Sequence, residues 1–238
     1  MGTTIVEHVV LFKAKDGVSK EDLQACMLRF RGLRELDGVI FLRAGALRAC
    51  KAIGSAWTHV LYGRYKGKTA LEAYAKHPAH LSAVAMADPL FQDKMALDWE
   101  ASPEKKPLGL TSFTAAYIVL VKWATIHHMK AAEKLSSALL QALDSNSFQL
   151  SSSTSSSSSS SSPFSSARLS PSLQQCTSGF NFSPARARGF HWGFAALFGS
   201  TPAAFLFHDL VQELTGKQSV ESFICLDYEA EDETLARL

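Results

Sequence analysis

Along the first hundred residues, segments with a strand-like hydrophobic pattern alternate with segments whose apolar residues recur at helical spacing. Residues 6–12 form a short apolar run rich in β-branched side chains, which predicts a strand. Ser19 with Asp22 three residues later is typical of a helix N-cap. Apolar residues then return at helical spacing, at Leu23, Met27, Phe30 and Leu33. The pattern therefore predicts a strand followed by an amphipathic helix.

Two further strands, a second helix and a closing strand are predicted after this helix. Strand patterns cover residues 38–47 and 55–65, and Thr69 is the predicted N-cap of the helix that follows. Pro78 should kink or restart that helix because proline lacks the N–H donor. The closing strand is predicted at residues 95–99. This order is the split βαβ arrangement, which covers one sheet face with helices and leaves the other face apolar.

The second half of the chain repeats the pattern of the first. Three segments recur in pairs, 7–13 with 116–122, 57–62 with 190–195, and 95–101 with 224–230. His59 follows His8 by 51 residues, and the equivalent spacing in the second copy is 75 residues, so the second copy carries an insertion. Two copies of one unit are the economical interpretation. We therefore predict an α+β fold of tandem ferredoxin-like units packed sheet to sheet within one chain.

Composition marks the boundaries of the two units. Residues 151–162 comprise eleven Ser and one Thr, and such a segment cannot bury enough apolar surface to offset its ordering entropy. We expect a Ser-rich insertion at 145–175 without regular structure. The predicted organisation is a first unit at 1–102, a linker at 103–111, a second unit at 112–232 that contains the insertion, and a tail at 233–238.

Overall charge and cysteine spacing argue against several classes of partner and site. The 238 residues are 47% hydrophobic, which excludes wholesale disorder, and the formal net charge of +2 provides no strong field for nucleic acid or an anionic membrane. We therefore expect neither as a partner. The cysteines have neither disulfide-framework nor zinc-site spacing and are predicted to be thiols. They are Cys26, Cys50, Cys176 and Cys225.

The last three residues suggest a destination in the cell. Ala236, Arg237 and Leu238 follow the small, basic, leucine pattern of the peroxisomal address. The tripeptide predicts a peroxisomal protein, with the cytoplasm as the alternative.

Several segments of the first unit resemble a known family. The segments are 8–13, 58–59, 97–99 and the run Leu71-Glu72-Ala73-Tyr74-Ala75-Lys76-His77-Pro78-Ala79-His80. Together they resemble the stress-responsive A/B barrel (Dabb) domain, and residues 181–190 look like the degenerate second repeat of its tandem plant members. The resemblance implies ferredoxin-like units that form a barrel, usually as a homodimer, and induction by salt or heat. Some tandem members are peroxisomal.

One branch of that family implies a candidate catalytic site. The plant polyketide cyclases that make olivetolic acid perform an aldol cyclisation with a His and a Tyr between helix and sheet. By resemblance, His80 corresponds to the general base, Tyr74 to the tyrosine and His8 to a supporting histidine. The chemistry is sound, since imidazole can remove a proton beside a carbonyl near neutral pH and a phenol can polarise the base.

The remaining pocket predictions are His59, His77 and Phe30. Phe30 stands where the cyclases have a second tyrosine, so one wall of the pocket should be apolar. The second repeat lacks the His and Tyr residues of the predicted site and has, for example, Tyr117 in place of His8. At most one site per chain is therefore expected. Arg186 and Arg188 could bind an anion, although Ser-Pro-x-Arg before a strand is more often an exposed turn.

The alternatives for function stay open at this stage. Structural hydrogen bonding between Tyr74 and His80 across the helix break is favoured over catalysis, and a metal site is disfavoured because no carboxylate or Cys stands at ligand spacing. The leading hypothesis is a stress-associated protein that binds a small apolar or aromatic ligand, or a partner, without a cofactor or established catalysis. The alternative is a cyclase-like lyase. The tandem units form an intramolecular pseudo-dimer, and a homodimer is a further option.

Overall fold

Two units with the same element order make up the fold. The computed structural model describes residues 4–52, 57–101, 113–124, 128–144, 173–199, 204–216 and 220–229. The first unit contains β1 (Ile5–Ala14), α1 (Lys20–Arg31), β2 (Val39–Ala46), β3 (Ala49–Ala52), β4 (His59–Tyr65), α2 (Lys68–Lys76), α3 (Pro78–Ala87) and β5 (Phe91–Ala101). The second unit contains β6 (Ala115–Trp123), α4 (His128–Asp144), β7 (Leu173–Phe180), β8 (Trp192–Phe198), α5 (Ala204–Gly216) and β9 (Val220–Glu229).

The strands form two antiparallel sheets with matching registers. The strand orders are β2-β4-β1-β5 and β3-β9-β6-β8-β7. His8 lies opposite Gly63 and Asp98. Its counterpart Tyr117 lies opposite Ala196 and Asp227. The predicted α+β fold of tandem ferredoxin-like units packed sheet to sheet is confirmed.

The sheets pack face to face and carry their helices on the outer faces. Along β1, Val9 and Leu11 belong to the core between the sheets, whereas Val6 and Phe12 belong to the core beneath the helices of the first unit. Alternate residues of a strand point to opposite faces, so an almost wholly buried β1 serves both cores. Trp99 is fully buried in the central core.

Each unit covers the free edge of the other unit's last strand. β3 leaves the first sheet and pairs with β9, and Asn181 forms an isolated bridge with Trp99. The backbone N–H of Arg48 donates to the Asp227 carbonyl at 3.0 Å, and that of Phe182 donates to the Asp98 carbonyl at 3.0 Å. These exchanged contacts satisfy backbone groups that an open edge would leave unpaired. β3 was not predicted from the sequence.

The helix starts agree with the sequence analysis except at one position. The Ser19 side chain accepts the Asp22 backbone N–H at 3.0 Å, as predicted. Thr69 was predicted to cap α2, and this is wrong, because the cap is Gly67 with φ +94° and the helix begins at Lys68. The left-handed conformation of Gly67 turns the chain into the helix two residues earlier than expected. Pro78 begins α3, which confirms the predicted restart.

Part of the predicted organisation falls outside the described residues. This holds for the linker at 103–111, for residues 145–172 of the Ser-rich insertion and for the targeting residues Ala236, Arg237 and Leu238. The predicted absence of regular structure is wrong for residues 173–175, which begin β7 and pair with β8. No helix among the described residues is long and apolar enough to cross a membrane.

Candidate functional site

A cavity of about 580 Å³ lies between the sheet of the first unit and its helices α1 and α3. Its apolar lining includes Val10, Phe12, Phe30, Leu61, Val84 and Phe91. Its polar lining includes His8, His80, Asp93, Lys94, Arg186 and Arg188. The two arginines belong to the second unit, on the turn between β7 and β8, so both units contribute to the wall of this cavity.

A buried aspartate connects His8 to the second unit. His8 Nδ1 lies 2.5 Å from Asp98 Oδ1, and Arg186 Nη2 donates to Asp98 Oδ2 at 2.5 Å. Burial tends to raise the pKa of Asp98. The charge of His8, hydrogen bonds from His8 and Ser183, and the charge of Arg186 outweigh burial and hold this pKa below its ordinary value. Because the carboxylate is ionised, His8 Nδ1 carries the proton that it donates, and His8 Nε2 is left for a ligand.

His80 is held at the break between α2 and α3. Its Nδ1 donates to the Ala75 carbonyl at 3.0 Å, so Nε2 of the neutral imidazole is the acceptor. Burial lowers the pKa of His80, and the charges of His8 and Arg186 lower it further, against the effect of the bond to Ala75. A largely neutral imidazole with a fixed tautomer can accept a proton or a hydrogen bond at neutral pH.

The structure separates the predicted site residues into two groups. His8, His80 and Phe30 line the cavity. Tyr74 and His59 are buried outside its lining, and His77 is an exposed N-cap that accepts the Ala79 N–H at 3.1 Å. The direct contact of His59 and His77 with a ligand therefore has no support from their positions.

Tyr74 supports His80 from behind the cavity. The two rings have centroids 4.6 Å apart, and Tyr74 also contacts Tyr65 at 4.9 Å. Burial raises the pKa of Tyr74 to about 12. The predicted hydrogen bond between Tyr74 and His80 across the helix break is not formed. Ala75 takes its place as the partner of His80 because its carbonyl is freed where the helix ends.

The same position in the second unit is occupied by aromatic rings. Tyr117, the counterpart of His8, stacks on Phe207 with centroids 4.6 Å apart and contacts Phe198 at 5.4 Å. The aspartate is retained as Asp227, which accepts Arg48 Nε at 2.7 Å. The two aspartates thus each bind an arginine from the opposite unit.

A second buried polar group lies inside the barrel, between the sheets. Glu7 and Arg64 are both fully buried and form an ion pair with Nη2 and Oε1 2.6 Å apart. The second unit completes the network, because Thr177 donates to Glu7 at 2.9 Å and Arg64 donates to Gln175. The network fills the inter-sheet space with paired groups and marks where the two units meet.

Sequence reasoning missed Asp98, Arg186 and Glu7 as partners in these networks. Asp98 stands between buried Leu97 and Trp99 and recurs as Asp227, which is a usable signal. Glu7 interrupts the apolar positions of β1 that face the central core. For Arg186 the sequence gives no such signal, since its contact with Asp98 depends on how the two units pack.

Comparison with known proteins matches the first unit to one family. The family described as the stress-responsive A/B barrel domain (Dabb) matches residues 6–101. One stress-response A/B barrel domain-containing protein of Arabidopsis thaliana is 30% identical over 187 residues, which cover 78% of this chain and 62% of that relative. A second such protein of the same plant, DABB1, is 40% identical over 113 residues, which cover 45% of this chain and 54% of DABB1. The matches thus span more than half, but less than two thirds, of each of these two relatives.

A solved structure shows the same arrangement of both units. A candidate monooxygenase from Fusobacterium nucleatum matches with a TM-score of 0.56 over 97% of this chain and 94% of its own. The two sequences are 11% identical, so the likeness concerns the fold alone.

Proposed function

Residues 6–101 of this chain are a stress-responsive A/B barrel domain, and on that premise we propose that the chain binds a small, largely apolar molecule in the cavity of this first unit. The observation that carries the proposal is the cavity of about 580 Å³ with an apolar body and polar groups at one side. Sites for small molecules have this size and this distribution of lining groups.

The apolar part of the cavity is formed by rigid elements. Phe12 packs against Phe30 with ring centroids 5.7 Å apart and against Phe91 at 4.9 Å. Val84 on α3 also lines the cavity. Aromatic and branched side chains held on helices and strands give a pre-formed surface, which reduces the ordering cost of binding.

The polar part of the cavity provides orientation. His8 is fixed by Asp98, and His80 is fixed by the Ala75 carbonyl. Each imidazole therefore presents one nitrogen in a defined direction, and a bound molecule that leaves these nitrogens without partners loses affinity. The expected ligand has an apolar body and at least one polar group.

A ligand-dependent thermal melt tests the proposal. The protein is melted with a panel of aromatic, polyketide-like and acyl compounds, and a ligand raises the melting temperature by mass action. Val84→Phe should fill the cavity and abolish the shift. Leu81→Phe is the matched control, because Leu81 lies on the same helix and is 55% exposed. Equal shifts in wild type and Val84→Phe would place binding elsewhere and reject the proposal.

Proton-transfer catalysis is a second candidate function, favoured by the two fixed histidines. His80 Nε2 would act as general base on an acidic C–H beside a carbonyl, as in an aldol cyclisation, and the pair of His8 and Asp98 would hold the resulting oxyanion or its proton. Tyr74 would position His80 through the ring contact without touching the substrate.

Product analysis with a linear triketo acid tests the catalytic candidate. Cyclised product should form with wild type, disappear with His80→Gln and fall with Asp98→Asn. Tyr74→Phe should retain more activity than His80→Gln, because the Tyr74 hydroxyl is buried outside the cavity lining. Identical product yields with and without protein would rule out catalysis on this substrate class while leaving ligand binding intact.

A further inference from the structure

The turn between β7 and β8 brings the second unit to the polar side of the first unit's cavity. Residues Pro184–Arg186 form a short 3₁₀ turn, and Arg186 lines the cavity while it donates to Asp98 at 2.5 Å. We propose that Arg186 is the specificity-determining residue of the cavity and that it selects apolar molecules carrying a carboxylate. The inference rests on the proposed ligand-binding function and names the class of ligand.

The hydrogen bonds of Arg186 leave donors for a ligand. Nη2 donates to Asp98 and, at 3.5 Å, to Ser183. Within the described part of the chain, Nε and Nη1 have no acceptor, and the side chain is about half exposed, at 52%. A guanidinium has five N–H groups in a planar fork that matches a carboxylate. Arg186 can therefore bind a carboxylate without giving up Asp98.

The contact with Asp98 holds Arg186 ready for binding. The carboxylate is fully buried and also accepts a hydrogen bond from His8, so it anchors the arginine to the floor of the site. An anchored guanidinium loses less conformational entropy when a ligand arrives than a free one. Binding at the edge of an apolar cavity also strengthens a charged hydrogen bond, because water is partly displaced.

The other cations of the lining have partners of their own. Arg188 donates to Asp93 and lies against the Trp57 ring, with Cζ 5.8 Å from its centroid. Lys94 pairs with Asp88 at 2.5 Å. These two ion pairs contribute little net charge at the mouth. Arg186 is thus distinguished by its unused donors and by its position on the same cavity as His8 and His80.

Matched acid and amide probes test the selection for a carboxylate. Binding of 4-butylbenzoate and 4-butylbenzamide to the whole chain is measured by titration calorimetry. Wild type should bind the acid at least about tenfold more tightly, since a charge-assisted hydrogen bond is roughly twice as strong as a neutral one. Arg186→Gln should remove the preference and leave amide affinity within about twofold, and Arg186→Lys should restore part of the preference.

Arg188→Gln is the control, because it removes one positive charge from the same turn. It should retain the preference for the acid, and its loss in this variant would show that general charge, and not Arg186, selects the ligand. Equal binding of acid and amide by wild type would overturn the inference and leave the proposed ligand binding standing. Failure of both probes to bind wild type, in a cavity large enough for them, would overturn both the inference and the proposed function.

Discussion

The two units share one backbone arrangement, but the position of His8 in the first unit has different surroundings from its counterpart Tyr117 in the second. In the first unit His8 faces Asp98 across the sheet and opens onto a cavity. In the second unit Tyr117 faces Asp227 and stacks on Phe207. The backbone register is retained, so the difference comes from side chains on the helical face. Among the described residues, a duplicated unit thus keeps its fold while the histidine of the candidate site stands in one copy only.

The second unit nevertheless contributes to the first. Each buried aspartate receives an arginine from the other unit, Arg186 at Asp98 and Arg48 at Asp227. Loss of the histidine site in one copy therefore does not make that copy dispensable. The turn that carries Arg186 completes the cavity of its neighbour, and substitutions at equivalent positions test how the two units divide these roles.

The largest loss of stability should come from removing one partner of the buried ion pair between the sheets. The register places Ala116 and Leu197 of the second unit where the first has Glu7 and Arg64. Glu7→Ala leaves Arg64 buried without its partner and should lower the free energy of unfolding by about 3–5 kcal/mol, measured by urea denaturation. The double variant Glu7→Ala with Arg64→Leu copies the second unit and should recover much of that loss. A double variant as unstable as Glu7→Ala alone would contradict this explanation.

The next largest effect concerns the glycines against which the central aromatic rings pack. A Cβ added at Gly193 would lie 2.5 Å from the Trp99 ring, so Gly193→Ala should cost about 1–3 kcal/mol through overpacking. The ring that corresponds to Trp99 in the second unit, Tyr228, packs less tightly against Gly45, where the nearest atoms to an added Cβ lie 3.2 Å away on Arg31 and Tyr228. Gly45→Ala should therefore cost less in the same denaturation experiment. The reverse order would contradict overpacking against the rings as the cause of the loss.

Copying one residue of the second unit into the site should weaken ligand binding. His8→Tyr places the residue found at Tyr117 into the first unit. The bulkier ring should reach into the cavity and weaken binding of any stabilising compound by about tenfold or more, since a hydrogen-bonding group is lost and space is filled. The unfolding midpoint without ligand should also fall, because the buried Asp98 carboxylate loses the hydrogen bond from His8. Unchanged affinity in calorimetry would remove His8 from the site.

The smallest effect is a difference in acid sensitivity between the units. Burial holds the pKa values of His59 and His80 in the folded chain below the ordinary value of 6.5. As the pH falls below 6.5, the unfolded chain takes up protons before the folded chain does, so stability decreases. The equivalent of His59 in the second unit, Trp192, takes up no proton in this range. Hydrogen exchange at pH 7 and at about pH 5.5, corrected for intrinsic rates, should show extra opening of β4, which begins at His59, relative to β8, which begins at Trp192. Equal changes in both units would contradict the assignment.

Local sequence patterns predicted the parts of the molecule that local interactions determine. The Ser19 cap, the restart at Pro78 and the repeated strands follow from capping, proline chemistry and apolar periodicity. His8, His80 and Phe30, which the sequence analysis assigned to one site, line the same cavity. The start of α2 was missed because a glycine with positive φ replaced the expected cap.

The remaining features depend on contacts between distant segments. Arg186 reaches Asp98 across 88 residues, and Thr177 reaches Glu7 across 170 residues. A periodic pattern reports which face of an element is buried and not which segment covers it. The exchange of strand edges between the units decides these contacts, and β3, which carries part of that exchange, is only four residues long. The peroxisomal address, the homodimer and the catalytic roles of His80, Tyr74 and His8 stay predictions.

A crystal structure of the protein with the most stabilising compound of the thermal panel tests the central claim most directly. The account predicts that the compound lies between α3, β5 and the turn at 184–188, with its apolar body against Phe30 and Phe91 and its polar end within hydrogen-bond distance of His80 or Arg186. A compound bound between the two sheets, or on the second unit with this cavity empty, would contradict it.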